Sequence, residues 1–191
     1  YPANKETLQY AIPLLSDGEV IVYPTDTLYG FGVDATNTDS IKKLNALKGR
    51  TQPLSIVLKD LDEITDYGEM DEGTTEIVSK LLPGPYTIII PKVESNLSPL
   101  VTYGSPFVGI RIPDHPFSKG LVEELGKPVI TTSINRHGKN SLNDVSQVEL
   151  DFPDIAIFEN HEVKHSLGST IINFSTDPHN IVRKGDGKYP L

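Results

Sequence analysis

No cysteine occurs among the 191 residues of this chain. Disulfides, thiolate metal sites and a cysteine nucleophile are thereby excluded, and the lack is what a cytoplasmic chain would show. No apolar run approaches the roughly 18 residues that mark a membrane-crossing helix, so no membrane span is expected, and no secretory leader pattern is visible. Net positive charge is missing too, because 26 Asp and Glu outweigh 17 Lys and Arg for a formal charge of -9. A general nucleic-acid binder is usually basic, since phosphate contacts dominate its affinity. Any polyanion must therefore meet a local group of cations, and the placement of those few cations becomes the informative feature.

Hydrophobic residues make up 37% of the chain, enough for a core when spread over alternating elements. The length suits one domain, residues 1–191. Strand-like runs, "GEVIVYP", "LSIVL", "YTIIIP", "VGIRIP", "PVITT", "DIAIF", "STIINF" and "NIVR", are short, β-branched and punctuated by Gly and Pro. Between them lie helix-like stretches. "NTDSIKKLNALK" carries Ile41, Leu44 and Leu47, with Thr38 or Asp39 as the expected cap. "GTTEIVSKLL" ends at Pro83-Gly84, and "PFSKGLVEELG" has Pro116 early and Gly126 late. Near the start, Leu8, Ala11, Ile12 and Leu15 form a helical stripe that Pro13 should kink or end early. Residues 136–152 read as a mobile loop with one short helix. The pattern predicts an α/β fold on a mixed, twisted sheet.

Several stretches offer chemistry, each beside a plainer reading. "HEVKH" (161–165) matches the zinc-protease pattern, which needs both histidines on one helix face. It follows a strand-like run and lacks the apolar stripe of a buried helix, so a solvated turn is expected and no metal site. "YGFG" (29–32) holds a lone G-x-G without the rest of a dinucleotide fingerprint; the plainer reading is a tight turn with a glycine at positive φ. "PTDTLYG" sets Thr25 and Thr27 around Asp26 at a strand end, a usual ligand position in α/β sheets and also a common turn chemistry. "LKGR" puts Lys48 and Arg50 at a helix C-terminus. They either complement the helix dipole or clamp phosphate, with Gly49 letting the backbone approach. Arg111 in "GIRIPDHP" lies inside an apolar run. If inward, it needs an anion, either Asp114 or a ligand carboxylate; an edge strand facing water is the alternative. "TTSIN", "GST" and "IVRKG" place further hydroxyls, amides and cations at strand ends.

In order along the chain, "VYPTDTLYGFG", "LKGR…PLSIVL", "PGPYTIIIP", "VGIRIPDHP", "PVITTSIN…G" and "GSTII" resemble the YrdC-domain family, the threonylcarbamoyl-adenylate synthases, from about Leu8 to Gly185. The resemblance implies a single YrdC/RibB-like α/β domain with helices flanking a mixed sheet and an open, positively lined cavity. It implies an adenylyl-transfer reaction that joins L-threonine, bicarbonate and ATP, with Mg²⁺ on the nucleotide and no organic cofactor. The product would feed a tRNA-modifying transferase. By position, Thr27, Arg111, Thr131 and Ser169 would contact threonine, with Arg111 on its carboxylate. Lys48, Arg50, Ser133 and Asn135 would be the catalytic set facing the phosphates, and Gln52, Ser141 and Arg183 would be further nucleotide contacts. The chain departs from the pattern in its short Thr51-Gln52 link, in Val57 where archaeal long forms place histidine, and in Ile134 of the S-x-N motif. "LKDLDEITDY", "PGPYT" and the "VRKGDGKYPL" tail resemble the YciO branch, so a YciO-like nucleotide- or RNA-binding protein with a related but different substrate stands as the alternative.

Overall fold

The computed structural model describes residues 1–135, 142–160 and 165–189. Helices α1 (Leu8–Ser16), α2 (Thr38–Lys48), α3 (Glu72–Leu81), α4 (Pro99–Thr102), α5 (Pro116–Leu125) and α6 (Val145–Asp151) alternate with strands β1 (Ile21–Tyr23), β2 (Gly30–Gly32), β3 (Ser55–Val57), β4 (Tyr86–Pro91), β5 (Phe107–Arg111), β6 (Val129–Ser133), β7 (Ala156–Ile157), β8 (Thr170–Asn173) and β9 (Asn180–Arg183). The nine strands join in the order β7-β1-β2-β6-β3-β5-β4-β8-β9. Three pairs, β1–β7, β3–β5 and β4–β8, are parallel and the rest antiparallel. The mixed α/β sheet flanked by helices agrees with the sequence reading.

One row of side chains explains much of its stability. Ile130 lies opposite Ile56, Ile56 opposite Ile110, Ile110 opposite Ile88, and Ile88 opposite Ile172. Residues directly opposite in a sheet share a face. Five β-branched side chains therefore stand side by side across five strands, all inaccessible to solvent. They belong to the larger apolar cluster, with Ile41 and Leu44 of α2 and Val78 and Leu81 of α3. A second cluster unites Leu8, Ala11 and Leu15 of α1 with Phe117, Leu121 and Val122 of α5, and reaches Val57 and Val129 of the sheet. Val57 and Val129 have the opposite parity to the isoleucine row, so α1 and α5 cover only part of that face. The uncovered part is where a cavity opens.

Local details correct several expectations. The cap of α2 is Asn37, whose side chain accepts from the N–H groups of Asp39 and Ser40, rather than Thr38 or Asp39. Pro13 does not end α1, which continues to Ser16; the carbonyl left without its donor belongs to Gln9, on the exposed side. Gly49 caps α2 at φ 66°, with the N–H of Gly49 on Ala46 O and that of Arg50 on Asn45 O. Left-handed backbone by itself accounts for glycine there. "YGFG" is no turn. Gly30–Gly32 is strand β2, and a Cβ on Gly32 would stand 2.6 Å from the Tyr23 ring. The one short helix expected within 136–152 is α6, and residues 136–141, Ser141 included, lie outside the described residues. So do residues 161–164 of "HEVKH"; His165 is exposed.

Candidate active site

The pleat brings the polar residues together. Side chains two apart in a strand point the same way. Gly30 of β2 lies opposite Ser133 of β6, and Thr131 of β6 lies opposite Ser55 of β3, which lies opposite Gly109 of β5. Arg111 follows Gly109 by two residues. Gly109 pairs with Ile89, two residues after Thr87, which pairs with Ile171, which pairs with Arg183. Ser169 precedes Ile171 by two. One parity thus puts Ser133, Thr131, Ser55, Arg111, Thr87, Ser169 and Arg183 on the face opposite the isoleucine row. Gly30 and Gly109 leave space there: a Cβ at either would come within 2.9 Å of Thr131 or Ser55 hydroxyl oxygen.

These residues line a cavity of about 210 Å³, joined by Thr27, Leu28, Tyr29, Arg50, Gln52 and Pro53 from the loops. Among the described residues its charged lining is Arg50, Arg111 and Arg183, with no carboxylate. In a chain of net charge -9, the hollow is a concentrated cationic patch.

Each arginine is held differently. Arg111 Nη2 donates to Asp26 Oδ1 at 2.6 Å and to Thr27 Oγ1 at 3.1 Å, and both ionic side chains are only 8% exposed. Burial pushes the Arg111 pKa below its ordinary value, against the opposing pull of Asp26. The protein carboxylate is Asp26 and not the expected Asp114, whose backbone N–H instead donates to Asp26 Oδ2 at 3.3 Å. The edge-strand reading fails as well, since β5 sits between β3 and β4. Arg183 donates from Nε and Nη2 to the carbonyl of Ser169 at 3.1 and 2.7 Å, and from Nη2 to Ser169 Oγ at 3.1 Å. Burial and then repulsion from Arg111 lower its pKa. Arg50 follows the helix cap, and its buried Nε has no partner among the described residues; nor has the buried Nε of Arg111. Buried donors without acceptors are costly, and both guanidinium groups also line the cavity.

Lys48 does not stand beside Arg50 on the cavity wall. It falls on the inward stripe of α2 with Ile41, Leu44 and Asn45, is 1% exposed, and lies 5.6 Å from the centroid of the Phe31 ring. Its ammonium nitrogen donates to the Ser133 carbonyl and, at 3.0 Å, to Asn135 Oδ1. Ser133 Oγ donates to the same Asn135 oxygen at 3.1 Å. Burial, with Arg50 nearby, pushes the Lys48 pKa down to about 7. Lys48 and Asn135 thus form a buried brace behind the cavity, whereas Ser133 both joins the brace and lines the hollow. Gln52, Thr27, Thr131 and Ser169 lie on the lining as expected. Thr87 and Ser55 were missed. The alternation of "YTI" and "LSI" would have placed each on the face opposite an isoleucine. Among the described residues, no group of three or more His, Asp or Glu side chains converges to hold a metal, and no helix is long and apolar enough to cross a membrane.

Known proteins resemble this chain along its length. A family model for Sua5, YciO and YrdC proteins, described as "Telomere recombination", matches residues 13–185. A Bacillus subtilis (strain 168) protein called threonylcarbamoyl-AMP synthase is 34% identical over 187 residues, 95% of this chain and 54% of its own length. A Methanocaldococcus jannaschii protein called putative threonylcarbamoyl-AMP synthase is 32% identical over 187 residues, 95% of this chain and 87% of its own. Among solved structures, Sua5 of P. abyssi complexed with L-threonine superposes with a TM-score of 0.88 at 27% identity, over 95% of this chain and 55% of that one. E. coli YciO superposes at 0.89 with 22% identity, over 98% and 93%; at that identity it supports the fold alone. The chain spans about half the length of the B. subtilis relative and of P. abyssi Sua5.

Proposed function

Because the chain belongs to the Sua5/YciO/YrdC family, we propose that it makes L-threonylcarbamoyl-AMP and pyrophosphate from L-threonine, bicarbonate and ATP, a product used to modify adenosine in tRNA. The observation that carries this reading is the cavity whose charged lining, among the described residues, consists of three guanidinium groups and no acid. Relatives bearing the synthase name and the solved complex of P. abyssi Sua5 with L-threonine support the choice of substrates.

The chemistry needs two steps. The amine of threonine adds to bicarbonate, losing water, to give a carbamate anion. A carbamate oxygen then attacks the α-phosphorus of ATP, and the bond to the β,γ-phosphates breaks with release of pyrophosphate. Such transfers depend chiefly on positioning and charge neutralisation, so no side-chain nucleophile is required. Arg111 retains donors beyond those engaged by Asp26 and Thr27 and would hold the threonine carboxylate. Thr27, Thr131 and Ser169 would present hydroxyls to the rest of the amino acid. Arg50, Arg183, Gln52 and Ser133 would meet the nucleotide, while Lys48 and Asn135 would hold Ser133 in place. Mg²⁺, a hard cation that favours phosphate oxygens, would arrive with ATP. The product is a reactive mixed anhydride, which calls for a transferase to take it onward to tRNA.

The decisive experiment incubates the purified chain with labelled bicarbonate, ATP and a panel of amino acids. Label in an adenylate that forms with L-threonine, together with pyrophosphate, is the expected result. An adenylate formed only with another amino acid would move the protein to a related reaction. Salt-sensitive RNA binding without any adenylate would refute the enzymatic reading.

A further inference from the structure

We propose that Thr87 is a positioning residue that sets the direction of the Ser169 hydroxyl proton toward the bound amino acid. This rests on the proposed function, and it adds a residue to which the sequence reading gave no role. Thr87 lies on β4, 3% exposed, and Ser169 is 4% exposed. Both line the cavity, and their hydroxyl oxygens are 2.7 Å apart.

The proton inventory makes the argument. A hydroxyl has one proton to give and two lone pairs to receive. One lone pair of Ser169 Oγ is taken by Arg183 Nη2 at 3.1 Å. Two hydroxyl protons remain, and one of them makes the bond between Thr87 and Ser169. Neither hydroxyl has another acceptor among the described residues, so one proton is left for whatever occupies the cavity. The neighbouring guanidinium decides which. Arg183 withdraws density from Ser169 Oγ and makes its O–H the stronger donor, because hydrogen bonds in a chain polarise one another. With an acceptor oxygen bound, Ser169 gives its proton to that oxygen and Thr87 gives its own to Ser169, filling the second lone pair. Thr87 therefore acts through Ser169. The arrangement is held by the register, Thr87 opposite Ile171 and Ile171 opposite Arg183, which keeps all three polar groups on one face.

The test uses Thr87→Val, which keeps the branched shape and removes the hydroxyl, and Thr87→Ser, which keeps the hydroxyl. Calorimetric titration with L-threonine and, separately, with ATP gives the readout, beside the melting temperature. The Val variant is expected to bind L-threonine about tenfold more weakly, the loss of one oriented, charge-assisted hydrogen bond, with ATP affinity unchanged, and the Ser variant is expected to restore it. Threonine affinity equal to that of the parent overturns the role of Thr87 and leaves the proposed function standing. So does an equal fall for threonine and ATP with a lowered melting temperature, which marks a merely structural side chain. If the parent binds a different amino acid instead, the proposed function fails and the same comparison on that ligand decides the role of Thr87. If it binds no amino acid, both fall.

Discussion

Replacing Lys48 by Met tests whether this cation is a brace or a phosphate clamp. Lys48 is 1% exposed, and burial next to Arg50 lowers its pKa from 10.5 to about 7. A neutral amine has two N–H donors, which match the two acceptors present, the Ser133 carbonyl and Asn135 Oδ1. Below about pH 7 the amine is protonated in both folded and unfolded chains, and the cost of burying charge is fully felt. Between about 7 and 10.5 the unfolded chain binds the proton and the folded one does not, so stability rises with pH across that window. Above 10.5 both forms are neutral and the cost is gone. The full gap corresponds to an upper limit of about 5 kcal/mol. Lys48→Met removes this dependence and adds a pH-independent loss of about 1–3 kcal/mol for the hydrogen bonds that Lys48 gave to the Ser133 carbonyl and Asn135 Oδ1. Urea denaturation of both proteins at a series of pH values measures it, since other titrating groups cancel in the difference. The expected difference, parent minus variant, climbs by a few kcal/mol from neutral to alkaline pH. Parallel curves would refute the reasoning and return Lys48 to a solvated, charged position facing the nucleotide.

Arg50→Ala should fold normally and lose about 30- to 1,000-fold in pyrophosphate release, as expected for removing about 2–4 kcal/mol of charge stabilisation in the transition state; near-parental turnover would remove Arg50 from the phosphate site. Arg111→Ala should raise the L-threonine requirement far more than the ATP requirement in steady-state kinetics. It should also lower stability, because Asp26 is left buried without its partner; equal effects on both substrates would argue against a carboxylate role. Ile110→Ala, at the centre of the isoleucine row, should cost about 2–5 kcal/mol in denaturant unfolding, and Ile110→Val only about 0.5–1.5.

The strands and the larger helices were readable because period-2 and period-3.6 patterns are local. The site was readable only in part, for reasons that differ by residue. Arg111 could be found because a polar group inside a β-branched run is conspicuous, whereas Thr131 and Ser169 stood out as hydroxyls at strand ends and took their roles from the family resemblance. Thr87 escaped because a threonine in a strand is ordinary on propensity alone, and its role depends on the register with β8. The buried placement of Lys48 was not legible because two cations around a glycine look equivalent in sequence. The helix phase separates them: Lys48 lies seven residues after Ile41 and points inward, whereas Arg50 lies beyond the left-handed cap and turns to the cavity. Asp26 and Arg111 are 85 residues apart, and nothing local could choose Asp26 over the nearer Asp114. The two glycines of "YGFG" signalled a turn only because flat packing against Tyr23 and Thr131 is a tertiary demand.

What the cavity omits matters as much as what it holds. Free threonine at neutral pH carries an ammonium group, and an ammonium cannot attack bicarbonate. A pocket that bound the zwitterion well would offer a carboxylate to that group. Here the carboxylate of Asp26 is already committed to Arg111 at 2.6 Å and to the backbone N–H of Asp114. The remaining charged lining is guanidinium. In a partly desolvated site such an environment disfavours a further cation and favours an anion. In the proposed reaction the amine would thus be pushed toward its neutral, nucleophilic form, and the carbamate that it becomes would gain charge of the sign that the cavity accepts. Among the described residues no carboxylate lines the cavity, and in the proposed reaction that segregation would favour the first step without a general base.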